Sequence, residues 1–221
     1  PKGLRYEHLF CEKQFSKSSI EEFIVSTKNP NIDVFPAEEQ LYDIIYDIYE
    51  ANKEKIVGNI FRKNISFIKD DYDYIIIDNS PFRSYLTTCA LFISDEVLVP
   101  IENDNFSYDG INNLIKTIST LNAKYSLEIN FTGVFITKAE SRTTLYKEMA
   151  KSYQEMFGDK FIPISIRKTE AVKQANTLFV GLLDYDKRCN AVSDYIALAE
   201  YLGLMDKSHA KKIKAFVNKK N

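Results

Sequence analysis

Four short runs rich in Ile, Val and Phe, at 74–77, 97–101, 131–137 and 161–166, stand out from longer stretches of helical periodicity, with 32–35 as a weaker fifth. Each is apolar on both faces, which is the pattern of a parallel sheet covered by helices on both sides. The intervening stretches predict those helices. Ser18 with Glu21 reads as a capping box for a helix to about residue 28. A helix over 38–49 puts Leu41, Ile44, Ile45 and Ile48 on one face, and another over 51–69 runs into the strand at 74. Residues 109–121 repeat Ile111, Leu114, Ile115 and Ile118 at helical spacing. Gly158 closes the helix of Leu145, Met149 and Met156, and Gly203 the helix of Val192, Ile196 and Leu202. The alternation predicts an α/β fold with three layers and a mostly parallel sheet. Residues 1–205 read as one domain and 206–221 as a basic helical tail.

Composition narrows the function classes. At 221 residues, 45% apolar and 27% charged, the chain is expected to fold as a globular domain rather than remain disordered. No run approaches the roughly 20 apolar residues of a membrane span. Cys11, Cys89 and Cys189 are too few and too scattered for a disulfide framework or a zinc site. His8 and His209 stand near opposite ends, which argues against histidine-based nucleophilic catalysis. The net charge is −2, yet 207–221 holds six lysines and no acid, so the tail is basic and the body acidic. Such a tail suits a polyanion, although a solvated terminal helix has the same composition.

In an open parallel sheet, ligands sit beyond the carboxyl ends of the strands. The run Tyr72-Asp73-Tyr74-Ile75-Ile76-Ile77-Asp78-Asn79-Ser80-Pro81 ends a predicted strand in an acid and a turn. A carboxylate there suits a Mg²⁺-bound water beside a nucleotide phosphate, and equally a helix cap or an Asx turn.

After Asp78 come an apolar helix, then Asp95-Glu96-Val97-Leu98-Val99-Pro100-Ile101, and then Phe106-Ser107-Tyr108-Asp109-Gly110-Ile111. Further along are Gly133-Val134-Phe135-Ile136-Thr137, Ser141-Arg142-Thr143-Thr144-Leu145, Phe157-Gly158-Asp159-Lys160, Ile166-Arg167-Lys168 and Tyr185-Asp186-Lys187-Arg188. In this order the segments resemble the ParA/MinD group of deviant-Walker P-loop ATPases, and the ParA-type partition proteins in particular, over about residues 32–205.

The resemblance implies a P-loop NTPase-like fold and ATP with Mg²⁺ as cofactors. It implies that Asp78 is the Walker B acid and metal ligand, that the loop at Pro81 senses the γ-phosphate, and that Thr137 and Arg167 border the base. It further implies a homodimer that binds DNA non-specifically, a centromere-binding ParB-like partner, and a cytoplasmic, nucleoid-associated protein. Lys147, Lys151, Lys168, Lys187 and Arg188, with the tail lysines, are the candidate DNA contacts. Plasmid and chromosome partition remain alternatives.

Three departures accompany the resemblance. The family's K-G-G-x-x-x-K-[ST] loop is not present: the seven glycines stand singly and none precedes a lysine. The expectation is that this loop and two strands fall before Pro1, so that residues 1–221 alone are inactive. Ser80 replaces a proline of the Walker B segment, and Arg167 replaces the proline of the family's I-P-R. A MinD-like positioning ATPase that docks on a membrane through Ile213, Phe216 and Val217 is a second reading. A non-catalytic α/β interaction module is a third.

Overall fold

The structure is a computed structural model that describes residues 9–10, 15–37, 46, 50, 57–80, 84–102 and 108–218. The chain divides into two compact units, residues 1–95 with 118–129 and residues 96–117 with 130–221.

In the first unit, α1 (Lys17–Glu21) begins where Ser16 Oγ accepts the Ser19 N–H, so the cap is Ser16 and not the expected Ser18. The helix stops at Glu21 rather than near residue 28, because the chain turns into an antiparallel hairpin of β1 (Val25–Ser26) and β2 (Asp33–Val34). Thr27 Oγ1 donates to Ile32 O and Asn29 Oδ1 accepts from the Asn31 N–H, which folds the turn. The weak fifth run is therefore the return strand of a hairpin and not a member of a parallel sheet.

The helix expected over 38–49 lies outside the described residues, apart from Tyr46, which is helical. The next one appears as α2 (Val57–Ile65), followed by a 3₁₀ turn at Lys69–Asp71. It packs on α3 (Tyr85–Ile93), whose first turn is capped by Ser84 Oγ accepting from the Thr87 N–H. Gly58 lets the two helices approach, since a Cβ there would stand 2.5 Å from the Phe92 ring. Phe10, Phe15, Ile20, Phe23, Ile68 and Cys89 are buried together, with Phe10 stacked on Phe61 at 4.3 Å. The buried Asn64 is satisfied by donating to Leu9 O at 2.8 Å.

The run 74–77 is not a strand. It has no regular structure and is largely exposed, with Ile76 at 92% exposure, and no strand pairs with it among the described residues. Its apolar sequence matches a buried strand, but a strand exists only when a neighbour takes up its backbone N–H and C=O groups.

The second unit holds the parallel pairing that the sequence predicts. β3 (Glu96–Ile101) pairs parallel with β4 (Asn130–Ile136), in register from Leu98↔Gly133 to Ile101↔Ile136 after an irregularity between Val97 and Leu98. Gly133 has φ +152°, and a Cβ there would stand 2.4 Å from Lys160 O, so only glycine lets the 158–162 backbone close on β4. The run 161–166 lies along β4 as a third parallel lane, joined by Ile162 N–H to Val134 O at 2.8 Å and Ile166 N–H to Ile136 O at 2.9 Å. It is pinned at two places rather than forming a continuous strand, and Pro163 between them has no N–H to donate.

α4 (Tyr108–Tyr125) gives residues 108–117 to the second unit and 118–125 to the first. α5 (Thr144–Phe157) turns its aromatic side to the third lane: Tyr146 OH bonds Ser165 Oγ at 2.7 Å, and the Tyr153 ring meets Phe161 at 6.4 Å. α6 (Glu170–Thr177), α7 (Leu182–Asp186), α8 (Asn190–Tyr201) and α9 (Lys207–Asn218) complete the unit. Gly158 and Gly203 end α5 and α8 with positive φ, as their spacing predicts. The basic tail is helical and docked: Ala210 and Val217 of α9 are buried, Ile213 packs beside them, and Lys214 bonds Glu200 of α8 at 2.9 Å.

Candidate functional site

The carboxyl ends of β3, β4 and the third lane gather the chemistry of the second unit. Thr137 donates both its N–H, at 2.7 Å, and its hydroxyl, at 3.3 Å, to Ile101 O, tying the ends of β3 and β4 together. Lys138 follows with φ +51° and pairs with Glu102. Ala139 bridges to Arg167, its N–H on Ile166 O and its carbonyl accepting from Lys168 N–H. These bonds hold open a cleft of about 390 Å³ lined by the 139–143 loop, Arg167, Lys168 and Asn190. Thr143 Oγ1 caps α5 on its rim by accepting the Tyr146 N–H.

Arg167 is clasped rather than loose. Asp194 of α8 accepts its backbone N–H at 2.9 Å, its Nε at 2.9 Å and its Nη2 at 2.6 Å, and Nη2 also donates to Asn190 O. This charge-assisted fork raises the guanidinium pKa further and fixes the side chain at the cleft. Lys168 bonds Glu140 at 2.7 Å and holds that carboxyl below its ordinary value. Sequence reasoning missed Asp194, because a carboxylate in the first turns of a helix carries no local sign of a partner 27 positions away. The replacement of proline by arginine at 167 was the one available hint that a counter-charge was needed.

Asp78 lies in the first unit, exposed in the irregular 72–80 segment, where Asn79 Nδ2 donates to Ile77 O. Pro81 is outside the described residues. The candidate cations are all in the second unit: Lys147 and Lys151 one turn apart on α5, the latter 3.8 Å from Glu155, Lys168 at the cleft, and Lys187 and Arg188 after α7. Lys187 sits 4.9 Å from the centre of the Phe216 ring.

In the first unit, the chemistry of Asp78 fits magnesium. Asp78 offers a hard carboxylate in contact with solvent, which suits the water-rich shell of Mg²⁺, while no cage of three or more His, Cys, Asp or Glu side chains exists among the described residues. The cleft of the second unit carries Arg142 beside Arg167 and Lys168, whose charges already face Asp194 and the cleft-lining Glu140.

A family profile described as an AAA domain matches residues 4–131, more than half of the chain. The chain belongs to this family, as a ParA/MinD-type member. Among curated relatives, the chromosome-partitioning ATPase Soj of Treponema pallidum is 25% identical over 190 residues, covering 86% of this chain and 74% of the relative. The sporulation initiation inhibitor protein Soj of Bacillus subtilis is 27% identical over 81% of this chain and 70% of its own length. The chromosome partitioning protein ParA of Caulobacter vibrioides is 27% identical over 79% and 65%.

Solved structures show the fold of this ParA/MinD-type chain to be that of an α/β P-loop NTPase. An ATP complex of McdA from Cyanothece superposes with a TM-score of 0.72 at 16% identity, covering 93% of this chain and 78% of that one. Cobyrinic acid a,c-diamide synthase from Mycobacterium smegmatis, with bound ADP and magnesium, gives 0.65 at 16% identity over 92% and 74%. No helix among the described residues is long and apolar enough to cross a membrane.

Proposed function

We propose that this protein is a ParA-type partition ATPase, an ATP-dependent homodimer that binds DNA without sequence preference and is driven by a centromere-binding ParB-like partner. What carries the reading is that relatives named for chromosome partitioning align across 79% to 86% of the chain.

In this reading Asp78 holds a Mg²⁺-bound water, and the loop at Pro81 senses the terminal phosphate. When bound, Mg²⁺ neutralises charge developing on the transferred phosphoryl group. Thr137 and Arg167 border the base; the Asp194 fork keeps the guanidinium from swinging into solvent and so limits the entropy lost on binding. Lys147, Lys151, Lys168, Lys187, Arg188 and the α9 lysines contact DNA phosphates. Because α9 uses Ile213 and Val217 to dock on its own unit, its exposed side carries Lys207, Lys211, Lys212 and Lys214 with Phe216 as an isolated apolar ring, which favours a polyanion over a bilayer.

The test is DNA binding by the full gene product with Mg-ATP, followed as salt rises. The expected result is binding to unrelated duplexes that needs Mg-ATP and falls steeply with salt. Vesicle binding that survives high salt, with no DNA binding, would overturn the reading in favour of a membrane-positioning ATPase.

A further inference from the structure

The charges at the cleft in the second unit answer one another, and what they leave over defines what the cleft can hold. Both oxygens of Asp194 accept from Arg167, through Nε and Nη2, and one oxygen of Glu140 accepts from Lys168. A cation with a carboxylate at hydrogen-bond distance presents little net charge to a third group. One lining side chain stands apart from this pairing. Asn190 opens α8 at the cleft, and its amide has no hydrogen-bond partner among the described residues. Its backbone, by contrast, is held: the carbonyl accepts from Arg167 Nη2 at 3.3 Å, and the Asp194 fork fixes that guanidinium in turn. Asp194, Arg167 and the Asn190 carbonyl thus form a chain of contacts that sets the place of an amide which itself bonds nothing.

An amide offers one acceptor and one donor side by side. Adenine presents an N6 amino donor next to the N7 acceptor, the edge that an asparagine amide matches with two hydrogen bonds. Guanine presents two acceptors there, O6 and N7, which suit a guanidinium fork, and an amino donor on its other side, which suits a carboxylate. Neither of those partners is left over at the cleft: the Arg167 fork is engaged by Asp194, and Glu140 is tied to Lys168. Arg142, exposed on the 139–143 loop and without an ion partner among the described residues, is the competing group, since it would favour guanine or a bare phosphate.

We propose that Asn190 is the base-reading residue of the cleft, its amide selecting adenine over guanine, with Arg167 acting as a positioning residue through the Asn190 carbonyl. This role rests on the ATPase reading and adds to it the group that recognises the base.

The experiment is calorimetric titration of ATP and of GTP into the full gene product with Mg²⁺, beside Asn190→Ala, Asn190→Asp and Arg142→Ala. The expected result is ATP bound about tenfold or more tighter than GTP by the unaltered protein. Asn190→Ala should bring the two affinities close together while the thermal midpoint without nucleotide stays level, because the amide holds nothing within the fold. Asn190→Asp, which puts two acceptors in place of an acceptor and a donor, should shift the preference toward GTP. Arg142→Ala should keep the preference for ATP. Equal affinities in the unaltered protein, a preference unchanged in Asn190→Ala, or one lost in Arg142→Ala would each overturn the proposal. So would a midpoint that falls in Asn190→Ala, since the amide would then serve the fold. No affinity for either nucleotide would overturn the ATPase reading and this role with it, whereas ATP binding whose base preference ignores Asn190 overturns this role alone.

Discussion

Residues 74–77 and 131–137 look alike in sequence, each rich in Ile, Val, Tyr or Phe with a polar residue at or just after its end, yet they differ completely in the structure. The second is β4, with Val134 and Ile136 fully buried and both edges taken, by β3 on one side and the third lane on the other. The first is irregular and largely exposed, with no strand beside it among the described residues. Composition makes a segment competent to be a strand; a neighbour for its backbone groups makes it one. The same contrast separates β4 from the third lane, which bonds β4 only through the Ile162 and Ile166 N–H groups among the described residues.

The largest effect that sharpens this contrast is a matched pair of truncations. Ile136→Ala should destabilise the second unit by about 2–5 kcal/mol, because it removes a buried side chain from a packed strand. Ile76→Ala should change stability by no more than about 0.5 kcal/mol, as expected of an exposed site. Chemical denaturation measures both, and equal effects would break the distinction.

Next in size is Gly133→Ala. The new methyl would meet Lys160 O at 2.4 Å on a backbone at φ +152°, so it should cost about 1–3 kcal/mol by pushing the third lane off β4. A thermal midpoint equal to that of the unaltered protein would show that the close approach does not matter. Hydrogen exchange then resolves the comparison residue by residue: amides of Val134 and Ile136 should be strongly protected, and those of Ile75 and Ile76 should exchange at nearly the free rate.

The smallest effect asks whether exposure at 74–77 reflects a loose first unit. It should not, because Cys89 is buried in that unit's core and burial pushes its thiol up to about 12. A raised thiol pKa keeps Cys89 protonated through the neutral range, so alkylation at pH 8 should leave it unmodified until denaturant is added. Rapid native labelling, read by mass spectrometry of the peptide, would mean that the whole unit opens.

Much of the second unit was legible in the sequence. The apolar runs at 97–101 and 131–137, the amphipathic 109–121 stretch and the two helix-closing glycines all carry local signals that agree with their tertiary setting, and each appears where expected. In the first unit, local signals competed. Ser18 was read as the cap from its spacing to Glu21, whereas Ser16, two positions earlier, makes the capping hydrogen bond. The Asn29-Pro30-Asn31 turn between β1 and β2 is a signal that the expected helix to about residue 28 left unused.

At the candidate site, Arg167 and Lys168 line the cleft beside the 139–143 loop, and Thr137 ties the ends of β3 and β4 just before that loop. Asp194 was not legible, because its partner is set by the fold and not by spacing. Asp78 was legible only as an acid after an apolar run. Whether that run is a strand depends on a neighbour that periodicity within 74–77 does not reveal.

The central claim, that Asp78 serves a magnesium nucleotide, is tested most directly by calorimetric titration of ATP into the full gene product, with and without Mg²⁺, beside its Asp78→Asn variant. The account predicts ATP binding that tightens with Mg²⁺ in the unaltered protein and loses that Mg²⁺ dependence in the variant. Affinity that ignores both Mg²⁺ and the Asp78 substitution, or no affinity at all, would contradict it.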